Sequence, residues 1–153
     1  MPSAEEGLPH VDEHSLQIAA GPDTAWEALL RVVEGSFEST PTQRMARLLG
    51  CADVVASGPR PLAAGSSFPG FHVELADRPR QLTLVGSHRF SDYALIFRLD
   101  DLDGANTRLR AETRAVFPGL KGRVYRSLVI GTRLHVLVTR RLLTAVKQRA
   151  ERD

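Results

Sequence analysis

Five histidines, one cysteine and scattered hydroxyls are the groups of this chain best able to move a proton near neutral pH. Two histidines stand apart by position. His88 shares strand parity with Leu82 and Leu84, so its ring is expected on the apolar side near the strand's end. His135 lies on a helical stripe with Val124, Leu128, Gly131, Val138 and Leu142. A ring titrating near neutrality in such a place suits general acid or base work; the plainer reading of His135 is a hydrogen-bonded core histidine. Thr113, mid-strand on an apolar side, is the third polar group expected to face inward.

Other chemistries find little support. His10-Val11-Asp12-Glu13-His14 packs four potential ligands into five residues, but beside an expected tail, and no metal is predicted. Asp101-Leu102-Asp103-Gly104 resembles the middle of a calcium loop, yet Leu99 and Arg110 occupy the first and closing carboxylate positions. There is no Gly-x-Ser-x-Gly elbow, His-Glu-x-x-His pair, Gly-x-Gly-x-x-Gly turn or phosphate-binding loop, so no cofactor is expected. Cys51, the lone cysteine, reads as an inert thiol.

The elements that must carry these groups follow from pattern. Residues 1–12 read as a flexible tail and 13–153 as a single domain. Ser15–Ala19 is a first strand. Gly21-Pro22-Asp23 opens a helix with Trp26, Leu29, Leu30 and Val33 on one face, and Gly35 ends it. Thr40, Pro41 and Gln43 predict a capped second helix stopping at Gly50. Ala52–Ala56 is a short apolar strand. Then Phe71, Val73 and Leu75, followed by Leu82 and Leu84, by Tyr93, Leu95, Phe97 and Leu99, and by Leu109, Ala111, Thr113, Ala115 and Phe117, mark alternating strands. Short connections make these an antiparallel meander. Arg123–Arg152 reads as one long helix, apolar around most of its first half, which something must enclose.

Composition is that of one globular domain: 153 residues, 42% apolar and 25% charged. The acidic opening residues hold no basic-then-apolar leader pattern, and Leu128–Val138, broken by Arg133, is too short to span a bilayer. With one cysteine, a reducing cytoplasm is the expected location. Charge is unevenly placed. Residues 1–103 carry 8 Lys/Arg against 15 Asp/Glu, and residues 104–153 carry 12 against 3. Much of the excess alternates along one strand as Arg108, Arg110 and Arg114, the pattern of a solvated outer face paired with acidic neighbours.

The order strand, two helices, meander and long helix resembles the START-like helix-grip superfamily of polyketide cyclases/dehydrases and lipid-transfer domains. Ala20-Gly21-Pro22-Asp23-Thr24-Ala25-Trp26 resembles the small–Pro–acidic–Trp opening of its first helix, and Asn106-Thr107-Arg108-Leu109 its entry to the last strand. His88-Arg89-Phe90-Ser91-Asp92-Tyr93 and the run Phe117 to His135 are similar to bacterial members. The resemblance implies an α+β helix-grip fold: a curved antiparallel sheet of about six strands around a long C-terminal helix, with two short helices after the first strand. It also implies an apolar or amphipathic ligand between sheet and helix.

Strand and helix parity then place Phe71, Val73, Leu84, His88, Leu95, Phe97, Thr113, Phe117, Leu128, Gly131, His135 and Val138 on the ligand. The leading reading is a non-catalytic carrier or sensor of a hydrophobic small molecule, acting as monomer or homodimer. The alternative is a cyclase/dehydratase-type enzyme with His88 and His135 as acid and base. A third is a basic interaction module, though aromatics are only 6% of the chain and none shares the arginine parity, so no nucleic-acid partner is expected.

Overall fold

A computed structural model describes residues 3–129 and 133–152 of the chain. In order, the elements are α1 (Ala4–Gly7), β1 (His10–Ile18), α2 (Pro22–Phe37), α3 (Thr40–Leu49), β2 (Ser67–Phe68), β3 (Phe71–Asp77), β4 (Gln81–His88), β5 (Ser91–Asp101), β6 (Thr107–Val116), α4 (Gly119–Val129) and α5 (Leu134–Arg152). The six strands form one antiparallel sheet in the order β1-β6-β5-β4-β3-β2. The result is the expected helix-grip arrangement, with α5 packed across α2 and β1.

Cross-strand register builds the inner face in rows. One row runs Val73, Leu84, Leu95, Thr113 and Asp12; the next runs Leu82, Phe97, Ala111 and His14. Paired residues share a face, so each row is a layer of the interior. The end of the grip nearest α2 is filled: Trp26, Leu29, Phe97, Leu109, Leu143 and Val146 form one buried cluster. Two sequence motifs meet there. The Thr107 hydroxyl, fully buried, donates to the Ala20 carbonyl at 2.8 Å and so ties the start of β6 to the opening of α2. From the other side, the Ala19 N–H donates to Glu151 at 2.9 Å and Lys147 to the Gln17 carbonyl at 2.9 Å, clamping α5 to β1.

Several boundaries differ from the sequence reading, each for a local reason. β1 starts at His10, so His10–Asp12, assigned to the tail, pair with β6 across a register shift. α2 continues through Gly35 to Phe37, whose ring packs on Phe68 and Phe71 at centroid distances of 5.5 and 5.1 Å. Tertiary contact outweighs the glycine's weak helix propensity. The cap of α3 is Ser39, not Thr40: its hydroxyl accepts the Thr42 N–H at 3.3 Å. Gly50 closes α3 with φ 72°, as a left-handed C-cap requires. Ala52–Ala56 forms no strand, because the Ala52 N–H and Asp53 carbonyl bond singly to Ser87 and Gly70 instead of to one neighbour. A bulge between Val73 and Leu75 reverses parity in β3, turning Leu75 outward and Ala76 toward Leu82.

The largest correction concerns the C-terminal segment. Arg133 has φ 57°, which the interior of a right-handed helix does not permit, so the expected single helix is α4 followed by α5. α4 is not enclosed: Leu120, Val124 and Leu128 are all exposed. Among the described residues, no helix is long and apolar enough to cross a membrane.

Candidate functional site

Where α2 and the C-terminal half of α5 stop filling the interior, a cavity of about 360 Å³ remains. Its floor is the inner face of β5 and β6, through Tyr93, Leu95, Thr113 and Ala115. Phe37, Met45 and Leu49 of α2 and α3 form one wall, with Pro69, Gly70 and Phe71 beside them. Tyr125 of α4 and His135, Val138, Thr139 and Leu142 of α5 form the other. His88, at the end of β4, and Phe117, just past β6, also line it. The wall is mostly apolar, with isolated polar groups.

Of the twelve residues expected on the ligand, Phe71, His88, Leu95, Thr113, Phe117, His135 and Val138 therefore line one cavity. Val73, Leu84 and Phe97 do not. They share the inner face but lie in the packed cluster. Leu128 is corrected too: it is 62% exposed on α4 and away from the cavity wall. Gly131 lies outside the described residues.

Sequence reasoning missed the α3 contribution, although Met45, Ala46 and Leu49 are spaced as one helical face. It placed Tyr93 on the correct parity without assigning it to the site. Tyr93 is held in position by close approach. Its hydroxyl donates to the Gly70 carbonyl at 2.5 Å, and its ring lies over its register partner Gly86. A Cβ at Gly86 would sit 2.1 Å from the Gly70 oxygen and 2.6 Å from the Tyr93 ring, so no other residue fits there without a shift. Burial and the nearby Cys51 push the Tyr93 phenol far above its ordinary pKa, and burial likewise raises the Cys51 thiol. Neither group ionises near neutrality, consistent with an inert cysteine.

The two histidines occupy different environments. His88 sits among rings, 4.8 Å from Tyr125 and 5.4 Å from Tyr93 between centroids. Its Nδ1 accepts the Phe90 N–H at 3.1 Å, which leaves the neutral ring's proton on Nε2. Burial lowers its pKa from 6.5, against an opposing pull from Asp92. The unfolded chain thus takes up this proton first, and His88 makes folding less favourable as pH drops below 6.5. Urea midpoints measured between pH 7.5 and 5 should fall more steeply for the wild type than for His88→Gln, whereas parallel curves would remove His88 as the cause.

His135 instead faces β1. Its Nε2 donates to Asp12 Oδ2 at 2.6 Å, and His14 Nε2 lies 3.3 Å from the same oxygen. The His10–His14 stretch is thereby divided: His10 bonds Glu112 at 2.6 Å, Glu13 meets Arg110 at 3.5 Å, and Asp12 and His14 turn inward. Among the described residues, no group of three or more His, Cys, Asp or Glu side chains is arranged to hold a metal ion. On the outer face, Arg110 pairs with Asp100 and Glu13, and Arg114 with Glu112, as the alternating charges predict.

This architecture, a six-stranded antiparallel sheet gripping a C-terminal helix with two helices after the first strand, is the START-like helix-grip fold. The chain is similar over 95% of its length to 94% of the Zhui aromatase/cyclase of Streptomyces sp. R1128, at 19% identity and a TM-score of 0.61. It also matches the di-domain ARO/CYC BexL of the BE-7585A biosynthetic pathway (15% identity, 92% of this chain and 46% of that one, TM-score 0.56). A third match is norcoclaurine synthase of Thalictrum flavum (11% identity, 94% and 96%, TM-score 0.55). No protein-family model and no curated protein matches the sequence. At these identities the likeness establishes the fold, and the function must be argued from the site.

Proposed function

We propose that this protein binds a hydrophobic or amphipathic small molecule in the cavity between the sheet and helices α3, α4 and α5. The observation that carries this reading is the cavity itself. About 360 Å³ of mostly apolar-walled space is within the range of small-molecule sites, and a domain packed only for stability would close it. A thermal-shift panel of bicyclic and tricyclic aromatic and isoprenoid compounds tests it. A ligand at about 100 times its Kd stabilises by roughly 2.7 kcal/mol, or roughly 5–10 °C for a domain of this size. Ala115→Phe, which puts a ring into the cavity opposite Tyr93, should abolish the shift while the protein stays folded. A panel in which nothing raises the melting temperature would overturn the proposal.

A second reading, a cyclase or dehydratase acting on a polyketide-like substrate, is favoured by one observation. His88 and His135 line the same cavity, as an acid and base acting on one substrate must. The Zhui and BexL aromatase/cyclases share the fold. Turnover of a poly-β-keto substrate that is lost in both His88→Gln and His135→Gln would favour this reading over simple carriage.

A further inference from the structure

The inner face of β1 changes character along its length. Ile18 and Leu16 join the core, but the next two inward positions are His14 and Asp12. Asp12 lies directly opposite Thr113, which lines the cavity, and beneath His135, which does too. Both His14 and His135 direct Nε2 to one oxygen, Asp12 Oδ2. A carboxylate in that position accepts, so it holds the His135 proton on Nε2 and leaves Nδ1 with a lone pair. His135 Nδ1 and Asp12 Oδ1 are both buried and have no hydrogen-bond partner among the described residues. Buried acceptors left in this way are costly and uncommon in folded proteins. The two lie together, His135 on the mostly apolar cavity wall and Asp12 behind it.

We propose that Asp12, Thr113 and His135 form a polar subsite that takes a hydroxyl of the ligand, with His135 Nδ1 accepting its hydrogen bond and Asp12 positioning the ring. The inference rests on the cavity-binding reading and sharpens it: the ligand is an amphipathic molecule carrying a phenolic, enolic or alcoholic O–H, not a pure hydrocarbon or lipid tail. A ligand without a donor would leave Nδ1 unsatisfied, and that difference sets the selectivity.

The test compares 2-naphthol with 2-methoxynaphthalene, which share a ring system and differ in the donor. The wild type should bind 2-naphthol about tenfold more tightly, the effect of one well-made buried hydrogen bond. His135→Phe, which keeps a ring and removes the acceptor, should bind the two probes equally. Asp12→Asn should reduce the preference severalfold. Nitrogen-resolved NMR of the histidine rings supplies a readout that packing alone would not move. His135 should carry its proton on Nε2 in the free wild type, lose that bias in Asp12→Asn, and show an Nδ1 shift with 2-naphthol but not with its methyl ether. Equal binding of both probes to the wild type would overturn the subsite and leave the cavity reading intact. Failure of both probes to bind would count against both. A 2-naphthol preference that survives His135→Phe, or a proton found on Nδ1 of the free protein, would also overturn the subsite.

Discussion

Phe97→Ala will lower the free energy of unfolding by about 3–5 kcal/mol without weakening binding of an apolar probe to the molecules that remain folded. Phe97 is fully buried between its row partners Leu82 and Ala111, in the cluster that α2 and α5 close from above. Removing its ring costs the transfer free energy of the lost atoms and leaves a void that the sheet backbone cannot collapse to fill. Two residues earlier on the same strand and face, Leu95 lines the cavity. The pair therefore separates stability from binding. Urea unfolding followed through the buried Trp26, with 2-methoxynaphthalene titrated into the same variants, measures both. A cost below about 1.5 kcal/mol, or a probe affinity reduced tenfold or more, would place Phe97 on the cavity wall instead.

Glu112→Gln should cost about 3 kcal/mol at neutral pH, the scale for breaking a largely buried ion cluster by removing its shared partner. The Glu112 side chain is only 8% exposed although it belongs to the outer face of the sheet. The N-terminal segment accounts for this: Arg114 donates to the Leu8 carbonyl at 2.7 Å, and the Ala115 N–H to that of Pro9 at 3.0 Å. Arg98 at 2.9 Å, Arg114 at 3.0 Å and His10 at 2.6 Å surround the carboxylate. Burial by itself would raise its pKa, but the hydrogen bonds from His10 and Arg98 and the charge of Arg114 outweigh it and hold the carboxyl below its ordinary 4.5. Its contribution is then present above pH 4.5 and lost as pH falls through the lower folded value. Wild-type stability should therefore fall as pH drops below 4.5, and Glu112→Gln should flatten the stability curve there. A variant with the wild-type acid profile would show that other carboxylates carry that slope.

What was legible in the sequence was whatever depends on local periodicity and chain chemistry. Alternation along β4, β5 and β6 identified the inner face, because side chains two apart on a strand must share a side whatever the rest of the fold does. Pro22, Asp23 and Trp26 marked the opening of α2 because their roles are set by the residues around them. For the same reason His88, Thr113 and His135 were legible as inward polar groups. Thr107, by contrast, was legible at the start of β6 only through the family resemblance, its bond to Ala20 being long-range.

What only the tertiary structure decided is which part of that face is filled. Leu95 and Phe97 are equivalent by parity, and they differ only because α2 and the C-terminal half of α5 cover one end of the sheet and not the other. The separation of α4 from α5, where Arg133 has φ 57°, removes Leu128 from the site although the sequence pattern reads as one helix. The bulge in β3 turns Leu75 outward against its own alternation. Asp12 was readable in principle by counting back from Ile18 and Leu16, but a polar residue gives no hydrophobic signal. Its meaning comes from His135, more than 120 positions away, and only folding brings the carboxylate and the imidazole together. Local pattern assigns faces; long-range packing decides which faces stay open.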